Sequence, residues 1–306
     1  ITVIGCGRWG SLITWYLDHI GHRVTLYGRS TSPKMQAFLA TRQNDLLTLP
    51  ESVALSTDLA AALDGAETVI ISIGSQSLRA LLAEEPMQAL RNKTVVLCMK
   101  GLEMGTGERL SVIAGELLHP SCTVAVWLGP GHVQEFYRGI PNCMVIDSEN
   151  EQVKHRLVQA FSSDLIRFYY GGDMIGNEVG AAAKNVVGIA AGFLDGVEMS
   201  SLKGALMSRG TREVARLIRA MGGNELSAYG LCHLGDYEAT VFSPYSHNRQ
   251  FGESFIRHQD YHRLAEGYYT VEALMVLSER YQVELPICRA VHAILYEDAD
   301  PREQLT

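Results

Sequence analysis

Short apolar runs alternate with longer amphipathic stretches through the first half of the chain, and long helical patterns then take over. The runs at 1–4, 23–27, 68–73, 94–99, 123–128, 142–146 and 166–170 read as strands. TVIISI at 68–73 and TVVLCM at 94–99 are apolar without alternation, as parallel strands covered on both faces are. Helical patterns at 11–20, 59–63, 78–82 and 110–118 fall between them. This order predicts an α/β doubly wound, Rossmann-type sheet, with ligands gathered at the C-terminal ends of its strands. From Gly171 onward the strand pattern stops, and helical stretches follow at 178–198, 203–221 and 270–281. The predicted organisation is a dinucleotide-binding domain over 1–171 and an all-α substrate and catalytic domain over 172–306. No Pro-rich linker or repeat separates them, so the site is expected in the cleft between the two.

The most informative stretch is EVGAAAKNVVGIAAGFLD at 178–195. A helix apolar on every face is normally buried. Lys184 and Asp195 interrupt it, which argues against a membrane span. Burial strips solvent from a lysine and lowers its pKa, so that it can give or take a proton near neutral pH. The alternative is a lysine that snorkels to solvent or merely pairs with a buried carboxylate.

Gly5-Cys6-Gly7-Arg8-Trp9-Gly10 follows the first run and opens the first helix. This is the strand–turn–helix context that a GxGxxG fingerprint requires. Gly5 permits the tight turn, Gly7 the close approach of backbone to a pyrophosphate, and Gly10 close packing of helix on strand. The pyrophosphate would rest on the N–H groups at the helix start. At the end of the second strand an acid would bind the ribose of NAD, but the chain has Gly28, Arg29 and Ser30. An Arg without an acid suits a 2′-phosphate, so NADP is the expected cofactor, with NAD also accepted. Otherwise Arg29 stacks on adenine or lies in solvent.

Two strand ends carry further candidates. Lys100-Gly101-Leu102-Glu103 follows one, and Gly129-Pro130-Gly131-His132 the other. Lys100 could bind a substrate oxygen or phosphate, or be a solvated loop charge. In the second half Asp236 could hold Lys184 charged and oriented, or cap a helix. His247, Asn248 and Arg249 could contact an oxyanion, or form a solvated turn. His258 and His262 have helical i,i+4 spacing, but no further ligand stands at a telling distance, so no metal site is predicted. No Ser/His/Asp or Cys/His arrangement supports nucleophilic hydrolysis.

Composition narrows the class. With 306 residues, 47% hydrophobic and 20% charged, the chain is long enough for two cores. A net charge of −8 with no basic block disfavours nucleic acid and membrane surfaces. Six scattered cysteines without a CxxC predict reduced thiols, and with them a cytoplasmic protein. The chain opens on a strand, so no signal peptide is expected. It lacks an initiator Met, so a few upstream residues are expected to be missing.

Taken together, these motifs resemble the NAD(P)-dependent glycerol-3-phosphate dehydrogenase family over almost the whole chain. The resemblance rests on GCGRWG at 5–10, CMKGLE at 98–103, GP at 129–130 and GIPN at 139–142. It continues through EVGAAAKNVVGIAAGFLDG at 178–196, RG at 209–210 and GLCHLGDY at 230–237. SHNRQFG at 246–252 and AEGYYT at 265–270 complete it. It implies reduction of dihydroxyacetone phosphate to sn-glycerol 3-phosphate, the backbone precursor of glycerophospholipids.

By resemblance, Lys184 is the proton donor and acceptor, and Lys100 a lysine touching both cofactor and substrate. Gly129, Asn185 and Asp236 lie near the substrate, and Ser246, His247, Asn248 and Arg249 on its phosphate side. Gly5, Gly7, Arg8, Trp9, Gly10, Arg29, Val133, His247 and Glu266 match cofactor contacts. A homodimer is the assembly allowed for. Two departures stand out. Gly131 replaces the family's usual Ser or Thr, and His247 replaces an Arg that serves phosphate and cofactor together. Histidine lacks the bidentate fork and the permanent charge of arginine, which weakens the phosphate site unless Arg249 compensates. The alternatives are a related two-domain dehydrogenase for another phosphorylated or carboxylated hydroxy substrate, or a non-catalytic dinucleotide sensor.

Overall fold

The computed structural model describes residues 1–305. Strands and helices alternate through the first half: β1 Thr2–Ile4, α1 Arg8–His19, β2 Thr25–Tyr27, α2 Pro33–Thr41, β3 Ala54–Ser56, α3 Leu59–Leu63, β4 Thr68–Ile71 and α4 Leu78–Leu82. Then come α5 Glu85–Gln88, β5 Thr94–Leu97, α6 Leu110–Leu117, β6 Thr123–Leu128, α7 Val133–Tyr137, β7 Asn142–Asp147, α8 Glu151–Phe161 and β8 Ile166–Tyr170. The rest is helical: α9 Met174–Gly196, α10 Lys203–Ala220, α11 His247–Ile256, α12 Glu266–Tyr281, α13 Pro286–Tyr296 and α14 Pro301–Gln304.

The strands form one sheet of order β3-β2-β1-β4-β5-β6-β7-β8. The order reverses between β1 and β4, the switch point at which doubly wound sheets bind nucleotides. Val3 pairs with Leu26 on one side and Ile70 on the other, and Val95 pairs with Val69 and Val124, all in parallel register. These strands are buried on both faces, which accounts for their unbroken apolar runs. On one face Trp127 packs edge-on against Phe168 at 4.8 Å and on Tyr16 at 6.1 Å.

Two elements have weak sequence signals. Helix α2 buries only Met35 and Phe38, and is fixed instead by its ends: Ser32 accepts from the Met35 amide, and Pro33 starts the first turn. Strand β3 is a three-residue edge with no fully buried side chain.

The chain divides into two compact units, and the division is not a single cut. Unit 1 holds Ile1–Met99, Ser111–Trp127 and Gly131–Tyr170. Unit 2 holds Gly171–Thr306 together with Lys100–Leu110 and Leu128–Pro130. In unit 2 nearly all of α9 is buried, Lys184 and Asn185 included. It is lined by glycine where α11 crosses. A Cβ on Gly192 would lie 2.1 Å from the Arg249 carbonyl, and one on Gly252 of α11 would lie 2.3 Å from the Ile189 carbonyl. Only glycine lets the two backbones meet at this distance. Among the described residues, no helix is long and apolar enough to cross a membrane.

Candidate active site

In unit 1 the turn after β1 has the shape that a dinucleotide requires. Gly5 has φ +113°, and a Cβ there would lie 2.1 Å from the Ser72 carbonyl. A Cβ on Gly10 would lie 1.9 Å from the Gly5 carbonyl, so α1 packs directly on the turn. A Cβ on Gly7 would meet nothing within 4 Å. The first and third glycines are thus required by the protein itself, whereas Gly7 borders open space at the start of α1, where no side-chain bond caps the helix. Such a helix start is an anion site, and these residues fit a pyrophosphate. Trp9 lies on α1 with Phe136 of α7 beside it, ring centroids 6.0 Å apart, and Val133 is buried at the start of α7. Arg29 follows β2, is well exposed, and its guanidinium lies 3.9 Å from Glu84.

Gly131 explains one departure from the family pattern. Its φ is +138°, and a Cβ there would lie 2.2 Å from the Phe136 ring. Phe136 fills the place a serine or threonine would occupy, so the missing hydroxyl is built into the packing.

Unit 2 brings together Lys100, Gly129, Lys184 and Asp236. One carboxylate oxygen of Asp236 receives both ammonium groups, Lys100 at 2.7 Å and Lys184 at 2.8 Å. Asp236 is 1% exposed and Lys184 7%, so little solvent separates the charges. Lys100 also donates to the Gly129 carbonyl at 2.5 Å. Burial is the main force on Lys184 and lowers its pKa to about 8; the Asp236 charge opposes this and Lys100 adds to it. An ammonium group has three donors. Lys184 gives one to Asp236 and one to the Thr240 hydroxyl at 2.9 Å, leaving one N–H for an incoming oxygen.

Two amides frame this centre. Asn185 donates to the Lys100 carbonyl at 2.7 Å and accepts from Asn248 at 3.0 Å. Asn248 in turn accepts from the Gly267 amide at 2.9 Å, next to Glu266 at the start of α12. The amide chain therefore fixes the backbone that carries Lys100.

The stretch 246–249, for which a solvated turn was the alternative to an oxyanion contact, is the first turn of α11. Ser246 caps it by accepting from the Arg249 amide, and His247 is its first helical residue. Arg249 is committed elsewhere. It donates to Asp195 at 2.7 Å, to Glu253 at 2.9 Å and to the Ser243 carbonyl at 3.2 Å. These bonds hold its guanidinium within the protein. The i,i+4 face proposed for His258 and His262 does not exist. His258 follows the end of α11 at φ +55°, and His262 lies outside any helix. Asp236 caps no helix; it sits at the end of a short 3₁₀ turn, Leu234–Asp236.

Thr240 was not legible as a site residue. It lies four residues after Asp236 in a π-helical turn, Glu238–Phe242, and its hydroxyl donates to the Asp236 carbonyl at 2.7 Å while receiving from Lys184. Its i+4 relation to Asp236 was the available signal, masked because GDYEATVFSP shows no helical periodicity.

Known proteins show the same arrangement along the chain. Residues 1–154 match the family described as NAD-dependent glycerol-3-phosphate dehydrogenase N-terminus, and residues 173–306 match its C-terminus. A glycerol-3-phosphate dehydrogenase [NAD(P)+] of Streptomyces griseus is 36% identical over 98% of this chain and 93% of its own. One of Thermoanaerobacter sp. is 32% identical, over 99% and 94%. The crystal structure of glycerol-3-phosphate dehydrogenase from Coxiella burnetii superposes with a TM-score of 0.92 at 28% identity, over 99% of this chain and 96% of that one. Ketopantoate reductase from Ralstonia eutropha shares the fold at a TM-score of 0.63 and 17% identity. With both halves matched in order and relatives above 30% identity along the full length, the chain belongs to the NAD-dependent glycerol-3-phosphate dehydrogenase family.

Proposed function

We propose that this family member interconverts dihydroxyacetone phosphate and sn-glycerol 3-phosphate with NAD(P), and that Lys184 moves the proton. The observation that carries the assignment of Lys184 is the buried centre itself: a lysine with pKa about 8, held by Asp236 and Thr240, with one N–H to spare. When bound, the reduced nicotinamide supplies the hydride that adds to C2 of the ketone. As that bond forms, negative charge develops on the C2 oxygen. Lys184 meets it with its remaining N–H and then transfers the proton, leaving a neutral amine beside the Asp236 carboxylate. In the oxidative direction the same amine takes the proton from the C2 hydroxyl. Asp236 keeps both lysines in place, and Lys100 supplies a second cation for substrate oxygen or phosphate. The first turn of α11, with Ser246, His247 and Asn248, receives the phosphate. Its binding energy fixes the carbonyl for reaction.

For the cofactor, Gly5, Gly7, Arg8, Trp9 and Gly10 hold the pyrophosphate, with Val133 and Glu266 as further contacts. Arg29 reads the ribose and favours NADP over NAD. The product is a precursor of glycerophospholipids, and the enzyme acts in the cytoplasm. One assay tests the reading: oxidation of NADPH with dihydroxyacetone phosphate, repeated with NADH. Turnover with NADPH, and less with NADH at equal concentration, is expected. Absence of turnover with either would overturn the substrate assignment.

A further inference from the structure

A second buried titratable group stands next to the lysine centre and takes no part in the chemistry above. His233 is 0% exposed. Its Nδ1 lies 2.8 Å from the Gly180 carbonyl and its Nε2 lies 2.7 Å from the Tyr237 hydroxyl. A carbonyl can only accept, so Nδ1 carries the proton. In a neutral ring Nε2 then accepts, and the Tyr237 hydroxyl donates to it. Burial, and secondarily the Lys184 charge, push the His233 pKa down to about 4, which favours the neutral ring. The titratable groups around it are Lys184 on α9 and Asp236 on its own turn; beyond Tyr237 stand Glu213 of α10 and Cys288 of α13.

The partners of this imidazole are placed to set the geometry of the catalytic pair. Gly180 is one helical turn before Lys184, and in an α-helix its carbonyl accepts the amide of that residue. The Asp236 amide bonds back to the His233 carbonyl at 3.0 Å, and Tyr237 is the next residue along. His233 thus ties the turn that carries Asp236 to the turn of α9 that carries Lys184. Two helix glycines make room for the tie. A Cβ on Gly180 would lie 3.0 Å from the His233 Cβ, and one on Gly210 of α10 would lie 3.2 Å from the Tyr237 hydroxyl.

We propose that His233 is a positioning residue for the Lys184–Asp236 pair, acting with Tyr237 to fasten the Asp236 turn against α9. The proposal rests on the reading of Lys184 as the proton donor. It is tested with His233→Leu, His233→Asn and Tyr237→Phe, measuring kcat, both KM values and the pH at which kcat for ketone reduction begins to fall. His233→Leu removes both bonds at similar volume. It should lower kcat about tenfold, as a small misplacement of a catalytic group does, with the NADPH KM held within about twofold. Because Asp236 raises the Lys184 pKa, loosening it should also move the fall in kcat to lower pH.

His233→Asn places an amide N–H where Nδ1 stood and should regain most of the loss, which a bulk packing role would not predict. If the Leu variant fails to fold, Tyr237→Phe, which deletes only the hydroxyl, should shift the pH profile in the same direction with a loss of about threefold. A folded Leu or Phe variant with wild-type kcat and profile would overturn the proposal. Wild-type turnover in Lys184→Ala would sink the underlying reading instead, so the two failures are distinct.

Discussion

Lys184 should make the two directions of the reaction respond to pH as mirror images. Its pKa falls from an ordinary 10.5 to about 8, chiefly through burial. That drop is about 3 kcal/mol in favour of the neutral amine. Ketone reduction needs the ammonium form, which is about 90% of the population one unit below the pKa and about 10% one unit above it. At saturating substrate and cofactor, kcat for reduction should therefore be flat to about pH 7.5 and fall about tenfold per unit beyond pH 8.5. Alcohol oxidation needs the amine and should rise over the same interval to a plateau. Thr240→Val tests the cause. The Thr240 oxygen accepts from the ammonium group and favours the charged form, so removing it should move both curves to lower pH. Folding stability gives an independent check. Between pH 8 and 10.5 the unfolded chain holds a proton that the folded chain has released, so the Lys184 contribution to stability rises with pH across that window. The substrate's second phosphate ionisation lies near pH 6, outside it. Reduction that stays flat to pH 10 while oxidation shows no rise would refute Lys184 as the transferring group.

Other perturbations bear on single contacts. Lys184→Ala should lower kcat by about 100-fold or more while leaving the cofactor Kd unchanged; stopped-flow single turnovers would register the difference. Arg29→Ala should weaken NADPH more than NADH, and Glu84→Gln, which removes the carboxylate beside Arg29, should strengthen NADPH; equal effects on both cofactors in a fluorescence titration would place Arg29 on the adenine instead. Gly131→Ser restores the family's hydroxyl but meets the Phe136 ring and a positive φ, so it should lower Tm by several degrees, with Gly131→Ser/Phe136→Leu recovering part of the loss in calorimetry. His247→Arg should lower the KM for dihydroxyacetone phosphate several-fold, because a guanidinium brings a bidentate fork and a permanent charge; an unchanged KM would remove His247 from the phosphate site.

The sheet was legible where strands are buried on both faces, because β4 and β5 cannot be anything but apolar. It was not legible at β3, whose three residues lie at an edge, nor at α2, whose ends determine it more than its face does. Lys184 could be found because a lone cation in an apolar helix breaks the pattern around it. Thr240 could not, since a threonine after a loop-like aspartate has no distinctive neighbours. The ion pair of Arg249 was hidden for a related reason. Sequence shows that a cation is present beside His247, but its acid partner Asp195 is 54 residues away, and only folding joins them. Lys100 and Gly129 read correctly as strand-end residues. Their membership of the helical unit follows from contacts that no local pattern encodes.

The glycines that admit α11 against α9 also decide when α9 can exist. Each glycine inside a helix costs about 1 kcal/mol relative to alanine, and α9 contains Gly180, Gly188 and Gly192 away from its ends. A segment so composed has little tendency to be helical alone, and it gains its order from tertiary packing. Lys184 is therefore not displayed on a preformed scaffold to which the rest of the unit is added. Its helix is expected to form together with the elements packed on it, and removal of α11 to weaken it. Amide exchange along α9 should accordingly require opening of the whole unit, so that Lys184 and the groups it touches yield only when that unit unfolds.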